Sequence, residues 1–209
     1  MAIDSLLAVM RDRRSVRSFS SEDVTAEEVR TLIEAAGHAP SNHNRQAWRF
    51  LAVRNRTVQA RLREAVEARV DELDRALTDP ADKAGLRDYR RYLTFFSEAP
   101  LLIVALYKKS PAFLETILGK LEAAPPEWTL PAEGFSVAMA VQNLLLAAHA
   151  MGLAACCTTG PLIAADKLRE VLRVGPGYLV AALVPVGRPA GPTPVQPRKA
   201  VDRILEVIP

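Results

Sequence analysis

Apolar side chains recur at helical spacing at Ile3, Leu6, Leu7 and Met10, which predicts a short amphipathic helix ending in a run of arginines. Thr25 followed by Glu28 reads as a capping box, with Val24 and Val29 as a hydrophobic staple. The helix it opens buries Val29, Leu32, Ile33 and Ala36, and Gly37 is its expected terminator. Residues 48–53 are aromatic and branched enough for one strand, and Asn55 begins the turn out of it. A long helix follows through Val58, Leu62, Val66, Val70, Leu73 and Leu77, and residues 78–85, with Pro80, are expected to break it. Leu86, Tyr89, Leu93 and Phe96 predict a shorter helix. Residues 101–107 are continuously apolar, the pattern of a central strand covered on both faces.

The second half is more apolar still. Residues 135–151 form a helix that is hydrophobic nearly all round, with Gln142, Asn143 and His149 the main exceptions, so burial is expected, with Gly152 as its end. Residues 154–159 look like a strand running into a turn at Gly160 and Pro161. Leu162, Leu168, Val171 and Leu172 predict a further helix, and residues 179–186 another buried strand. Between these elements, residues 40–46 form a polar loop. Residues 110–131, with Gly119, Pro125, Pro126 and Pro131, suggest one helix within a lid or excursion at about 110–133. Pro185, Pro189, Pro192, Pro194 and Pro197 force an extended carboxyl-terminal path. No repeat or long linker divides residues 1–209, so a single domain is expected.

Composition narrows the function classes. A net charge of +3 with 24% charged residues does not advertise a polyanionic partner, and this argues against nucleic acid. No run of 18 apolar residues predicts a membrane span and no signal peptide is visible, so no membrane partner and a cytoplasmic location are expected. Cys156 and Cys157, adjacent, read as reduced thiols rather than an ordinary structural disulfide. His38, His43 and His149 have no ligand-like spacing, so no metal is expected. Glycine-rich dinucleotide and triphosphate loops are missing, as is a Gly-x-Ser-x-Gly nucleophile turn. What remains is Arg11, Arg13, Arg14 and Arg17 with Ser15 and Ser18, four guanidinium groups whose fixed forks match phosphate oxygens. A solvated basic turn is the competing reading of that stretch.

Arg13, Arg14, Ser15, Val16 and Arg17, followed about 25 residues on by Ala39, Pro40, Ser41, Asn44, Gln46 and Trp48, occur in an order that carries more weight than either group alone. The two stretches resemble the Arg-Arg-Ser-hydrophobic-Arg opening and the Pro-Ser-x-x-Asn-x-Gln-Pro-Trp loop of the nitroreductase family of FMN-dependent oxidoreductases. Gln142, residues 143–146, Gly152, Leu153 and the proline-rich end with Arg198 extend the resemblance over most of the chain. Ala47 stands where the family usually has proline, and Thr158 and Thr159 replace more familiar residues before Gly160.

The resemblance implies an α+β fold: a three-layer α-β-α sandwich with a mixed sheet, an extended carboxyl-terminal arm and an intertwined homodimer holding FMN at the subunit interface. It places Arg13, Ser15 and Arg198 on the FMN phosphate with Lys199 as a weaker neighbour, and Arg14 on the phosphate or the ribityl chain. Arg17 would lie at the pyrimidine end of the ring, where a cation stabilises the charge that reduction brings. The Pro40, Ser41, Asn42 and Asn44 loop would reach FMN from the second subunit. Cys157, Thr158, Thr159 and Gly160 would run past the ring edge, where an N–H can approach N5. The implied reaction takes electrons from NADH or NADPH to a nitroaromatic, a quinone or a similar small molecule in ping-pong order, with no protein acid or base required. Oxidation of a carbon substrate, breakdown of reduced flavin, thiol catalysis at Cys157 and flavin binding without turnover are the alternatives. Tyr89, Arg90, Arg91 and Tyr92 have no motif to fix their register.

Overall fold

The structure is a computed structural model that describes residues 3–108, 120–121 and 132–208. The excursion expected at 110–131 lies outside the described residues apart from Lys120 and Leu121. In chain order the main elements are α1 (Ile3–Asp12), α2 (Ala26–Gly37), β1 (Trp48–Val53), α3 (Arg56–Ala76), α4 (Pro80–Thr94) and β2 (Leu101–Lys108). They continue with α5 (Ala132–Ala150), β3 (Ala154–Ala155), α6 (Ala165–Val171) and β4 (Tyr178–Gly187). Among the described residues no helix is long and apolar enough to cross a membrane.

The sheet order is β1-β2-β4-β3, so the apolar run at 101–107 is a central strand. Alternation along β2 sends its side chains into two separate cores. Leu101, Ile103 and Ala105 pack with Leu32 and Ala36 of α2 and Val137 and Leu144 of α5. Leu102, Val104 and Leu106 pack with Leu62 and Val66 of α3, Leu93 of α4 and Leu168 of α6. Helices therefore cover both faces, and the three-layer sandwich follows. Each leucine or isoleucine sealed this way contributes roughly 1.5–3 kcal/mol relative to exposure.

Helix starts follow local side-chain chemistry. Thr25 Oγ1 accepts from the Glu28 N–H at 3.1 Å while the Thr25 N–H donates to Glu28 Oε2 at 2.8 Å, completing the capping box of α2. Asn55 Oδ1 accepts from Thr57 and Val58 at the start of α3. Pro80 does not break the chain into a long turn as expected. It occupies the first turn of α4 behind the Asp79 cap, where a missing N–H costs nothing. Gly37 closes α2 without entering the left-handed region, since Gly152 and Gly177 are the positive-φ glycines among the described residues. The stop comes from Pro40, which cannot continue a helix.

Three further expectations are modified. The strand pairings are antiparallel throughout, and the mixed character of the sheet reduces to one parallel bridge, Ser15 to Ala155. The strand expected at 154–159 shrinks to Ala154–Ala155, with an isolated bridge at Thr158 to Leu183. The cause is Pro185: Cys156 donates to its carbonyl at 3.4 Å, but proline has no N–H to complete the pair. Finally, Ala132 and Glu133 belong to α5 rather than to the excursion, and α5 is not wholly buried. Phe135 and Met139 are 58% and 40% exposed, so one apolar stripe is left uncovered within this chain.

Candidate functional site

Residues 15–20 are stitched into the sheet margin. The Val16 N–H donates to the Ala155 carbonyl at 3.2 Å, Ser20 N–H to Arg188 at 2.9 Å, and Ala190 N–H to Ser18 at 3.2 Å. Extended backbone alternates its side chains. Ser15 and Arg17 are thereby exposed, whereas Arg14 and Val16 are half-buried on the other side. Arg14 turns back to α1: its Nη1 donates to the carbonyl of Arg11 and, at 2.9 Å, to that of Arg13. It caps the carboxyl end of α1. Ser15 pairs instead with Ala155, and Arg17 borders one cavity with Cys156, so the two meet beside that buried thiol. Burial pushes that thiol up, against the opposing Arg17 charge, a Ser15 hydrogen bond and the Arg13 charge.

The 157–160 stretch lies beside this convergence. A cavity of about 280 Å³ is bounded by Arg17, Tyr89, Tyr92, Phe95, Cys157 and Thr158. The Thr158 N–H is committed to the Leu183 carbonyl at 2.9 Å, and the Leu183 N–H returns the bond. Any backbone donor this stretch offers to a ligand must come from a neighbour of Thr158. Cys157 reaches solvent, yet the protein around its sulfur and the adjacent Cys156 push the thiol up, which disfavours a resting thiolate. Gly160 has a packing reason: a Cβ there would stand 2.7 Å from Leu93 Cδ2 of α4.

The 40–46 loop is a different construction. His43, Asn44 and Gln46 hold φ of 50°, 52° and 46°, left-handed values that L side chains seldom adopt. Side chains sustain the strain. Ser41 Oγ accepts the Gln46 N–H at 3.0 Å, Asn44 Oδ1 accepts from Gln46 Nε2 at 3.1 Å, and Ser136 Oγ of α5 accepts the Asn42 N–H at 3.1 Å. Arg45 faces the buried Glu133 at 3.6 Å. Ser41 and Asn44, expected as ligand donors, are thus partly used in shaping the loop; Pro40 is exposed at its entrance.

Within one chain the expected site residues do not all meet. Arg13 and Arg14 line a cavity of about 350 Å³ with Leu145 and His149 near the carboxyl end of α5. The 40–46 loop holds Ser136 near its amino end. At 1.5 Å rise per residue the two lie roughly 14–20 Å apart along the helix. Arg198 and Lys199 are exposed in the arm, and no described contact brings them to Arg13, although Thr193 of the same arm lines cavities with Arg13 and with Ser15. Asn143 of α5 donates to the Ala35 carbonyl at 3.2 Å. Sequence reasoning left Tyr92 without a role and Phe95 unmentioned, and both rings lie within about 6 Å of the Arg17 guanidinium. The three-residue spacing of Tyr89 and Tyr92, one helical face, was the available signal.

The three-layer fold is shared with known flavoproteins. A BluB-like flavoprotein from Clostridium difficile 630 superposes with a TM-score of 0.86 at 25% identity, covering 97% of this chain and 98% of that one. The nitroreductase family profile matches residues 10–188, and the chain belongs to that family. It is 30% identical over 203 residues to iodotyrosine deiodinase of Hydra vulgaris, covering 94% of this chain and 70% of the relative. A crystal structure of oxidized iodotyrosine deiodinase bound to FMN and 3-iodo-L-tyrosine matches with a TM-score of 0.71 at 26% identity, covering 94% and 96%.

Proposed function

We propose that this chain is an FMN-dependent oxidoreductase in which bound FMN supplies the redox chemistry, taking electrons from NADH or NADPH and passing them in ping-pong order to a nitroaromatic, quinone or similar small molecule. The observation that carries the reading is the pairing of the Ser15 to Arg17 segment with β3, which sets Arg17 in one cavity with Cys157 and Thr158. These residues fit the group in kind. Arg13 and Ser15 offer charge-assisted and hydroxyl donors to a phosphate, and Arg17, without a carboxylate partner among the described ion pairs, offers a cation to the pyrimidine end. Arg198 and Lys199 reach the phosphate if the arm folds onto the Arg13 side, while Arg14 serves α1. Cys157, Thr159 and Gly160 border the ring, with Thr158 fixing their path.

The site is completed by a second copy of the chain. A homodimer brings the Pro40, Ser41, Asn42 and Asn44 loop to an arginine segment that it cannot reach at the other end of its own α5. The exposed Phe135 and Met139 stripe and the exposed apolar side chains of the arm, Val195, Ile204 and Leu205 among them, supply surface for such a dimer.

The likeness to iodotyrosine deiodinase favours a second reading, reductive removal of iodide from an iodinated phenol. There two electrons and a proton replace C–I by C–H and release iodide. Anaerobic reduction by NADH or NADPH, followed by nitroaromatic, quinone or 3-iodo-L-tyrosine, separates the two. Reoxidation by a nitroaromatic or quinone supports the first, and iodide release with no such reoxidation supports the second. Protein that retains no flavin absorbance after FMN is supplied and excess removed overturns both. Sedimentation at micromolar concentration tests the dimer, and a monomer that binds FMN fully overturns it.

A further inference from the structure

We propose that Tyr92 and Phe95 are positioning residues for the Arg17 guanidinium, which makes the end of α4 a third wall of the site; the redox part of this inference rests on the FMN reading. Arg17 Cζ lies 6.0 Å from the Tyr92 ring centroid and 5.8 Å from that of Phe95, between two aromatic surfaces. Little else holds it. Its one described hydrogen bond is a long 3.5 Å contact from Nη1 to the Ser15 carbonyl, two residues away. An arginine so placed keeps most of its rotamer freedom unless a surface confines it. Cation–π attraction supplies that confinement, at distances within the effective range.

The two rings are themselves anchored. Phe95 is 7% exposed in the 3₁₀ turn after α4. Tyr92 is 38% exposed but held from outside: Arg91 Cζ lies 4.8 Å from its ring centroid and Arg91 Nη2 donates to its hydroxyl at 3.0 Å. Tyr89 adds a tilted ring contact at 5.5 Å between centroids. The 280 Å³ cavity beside them has no acidic side chain in its lining. A positive charge therefore faces the cavity in a fixed place, and a charge already oriented stabilises a developing anion without reorganisation. Reduced flavin, more negative at its pyrimidine end than oxidised flavin, is the form such an arrangement favours.

Two readouts on the full-length chain test this with Tyr92→Leu, which removes the aromatic face, and Tyr92→Phe, which keeps it. In the flavin-free protein, NMR should show the Arg17 δ-methylene protons shifted upfield by ring currents, a shift reduced in Tyr92→Leu, where Phe95 remains, and kept in full in Tyr92→Phe. No shift in the wild type, or the same shift in all three proteins, overturns the positioning. With FMN, Tyr92→Leu should weaken the reduced form about two- to fivefold more than the oxidised form, the worth of an exposed cation–π contact, and Tyr92→Phe should preserve the wild-type ratio. Equal weakening of both forms with a lowered Tm is what a merely structural role predicts and overturns the redox role. A wild-type chain that shows the ring-current shift but binds no FMN supports the positioning and sinks the flavin reading alone.

Discussion

The two ends of α5 carry site elements built on opposite terms. Near its carboxyl end, the arginine segment is held by backbone bonds to β3 and to residues 188–190, and Arg17 is left without a carboxylate partner among the described ion pairs. Near its amino end, the 40–46 loop is held by side chains on backbone, three residues sit in left-handed geometry, and Arg45 faces a buried carboxylate. The first end spends its backbone on the sheet and keeps its charge available. The second spends its side chains on its own shape. That difference teaches where an anion can dock and where only a preformed polar edge is on offer.

The contrast can be broken most sharply at Arg13. Arg13→Ala should weaken FMN binding by roughly ten- to hundredfold, the loss of a charged hydrogen bond, with little change in Tm, read by flavin fluorescence titration. A weakening confined to Ser41→Ala, with Arg13→Ala silent, would exchange the roles of the two ends. Ser41→Ala itself should act mainly on stability. It strips the Gln46 N–H of its acceptor, costs about 1 kcal/mol, and should lower Tm by roughly 2–4 °C for a chain of this size. Gln46→Gly works in the opposite direction, relieving a φ of 46° at the expense of the Gln46 to Asn44 bond. A net gain of up to about 1 kcal/mol in urea unfolding is expected; a loss would mean that the amide bond, not the backbone, governs the loop.

The smallest effect concerns acid. Glu28 is held below its ordinary 4.5 first by the Thr25 backbone N–H and then, against burial, by Arg188. Arg188 also pairs with Glu22 at 3.0 Å and accepts the Ser20 N–H through its carbonyl, so this network secures the far end of the arginine segment. A depressed carboxylate contributes stability that is fully present above its unfolded value and is lost as pH falls through the folded one. Glu28→Gln should therefore flatten the stability profile below about pH 4.5 and lower stability at neutral pH. An unchanged acid limb in urea unfolding would remove Glu28 from the account.

What the sequence made legible is what local chemistry decides. The capping box at Thr25 and Glu28, the strand at 48–53 and the doubly covered strand at 101–107 each announce themselves within a few residues. The truncated edge strand does not, because Cys156 is interrupted by Pro185, about 30 residues away and recognisable as its opposite only once register is known. The Arg14 contacts are hidden for a similar reason. Its motif points to a phosphate, while its position two residues past α1 lets it meet unpaired carbonyls. Tyr92 and Phe95 carry no motif at all, and their relation to Arg17 exists only in the folded chain. The arginine motif is legible in the sequence, whereas the separation of that segment from the 40–46 loop along α5 exists only in the folded chain.

The position of β2 also has a history in time. Its partner on one side, β1, precedes it in the chain, but β4 lies roughly 70 residues further on, which a ribosome takes of the order of 3–15 s to supply. Throughout that interval an apolar strand has one unsatisfied hydrogen-bonding edge and no finished core on either face. The segment that organises the mature molecule is the one most in need of protection while it is being made.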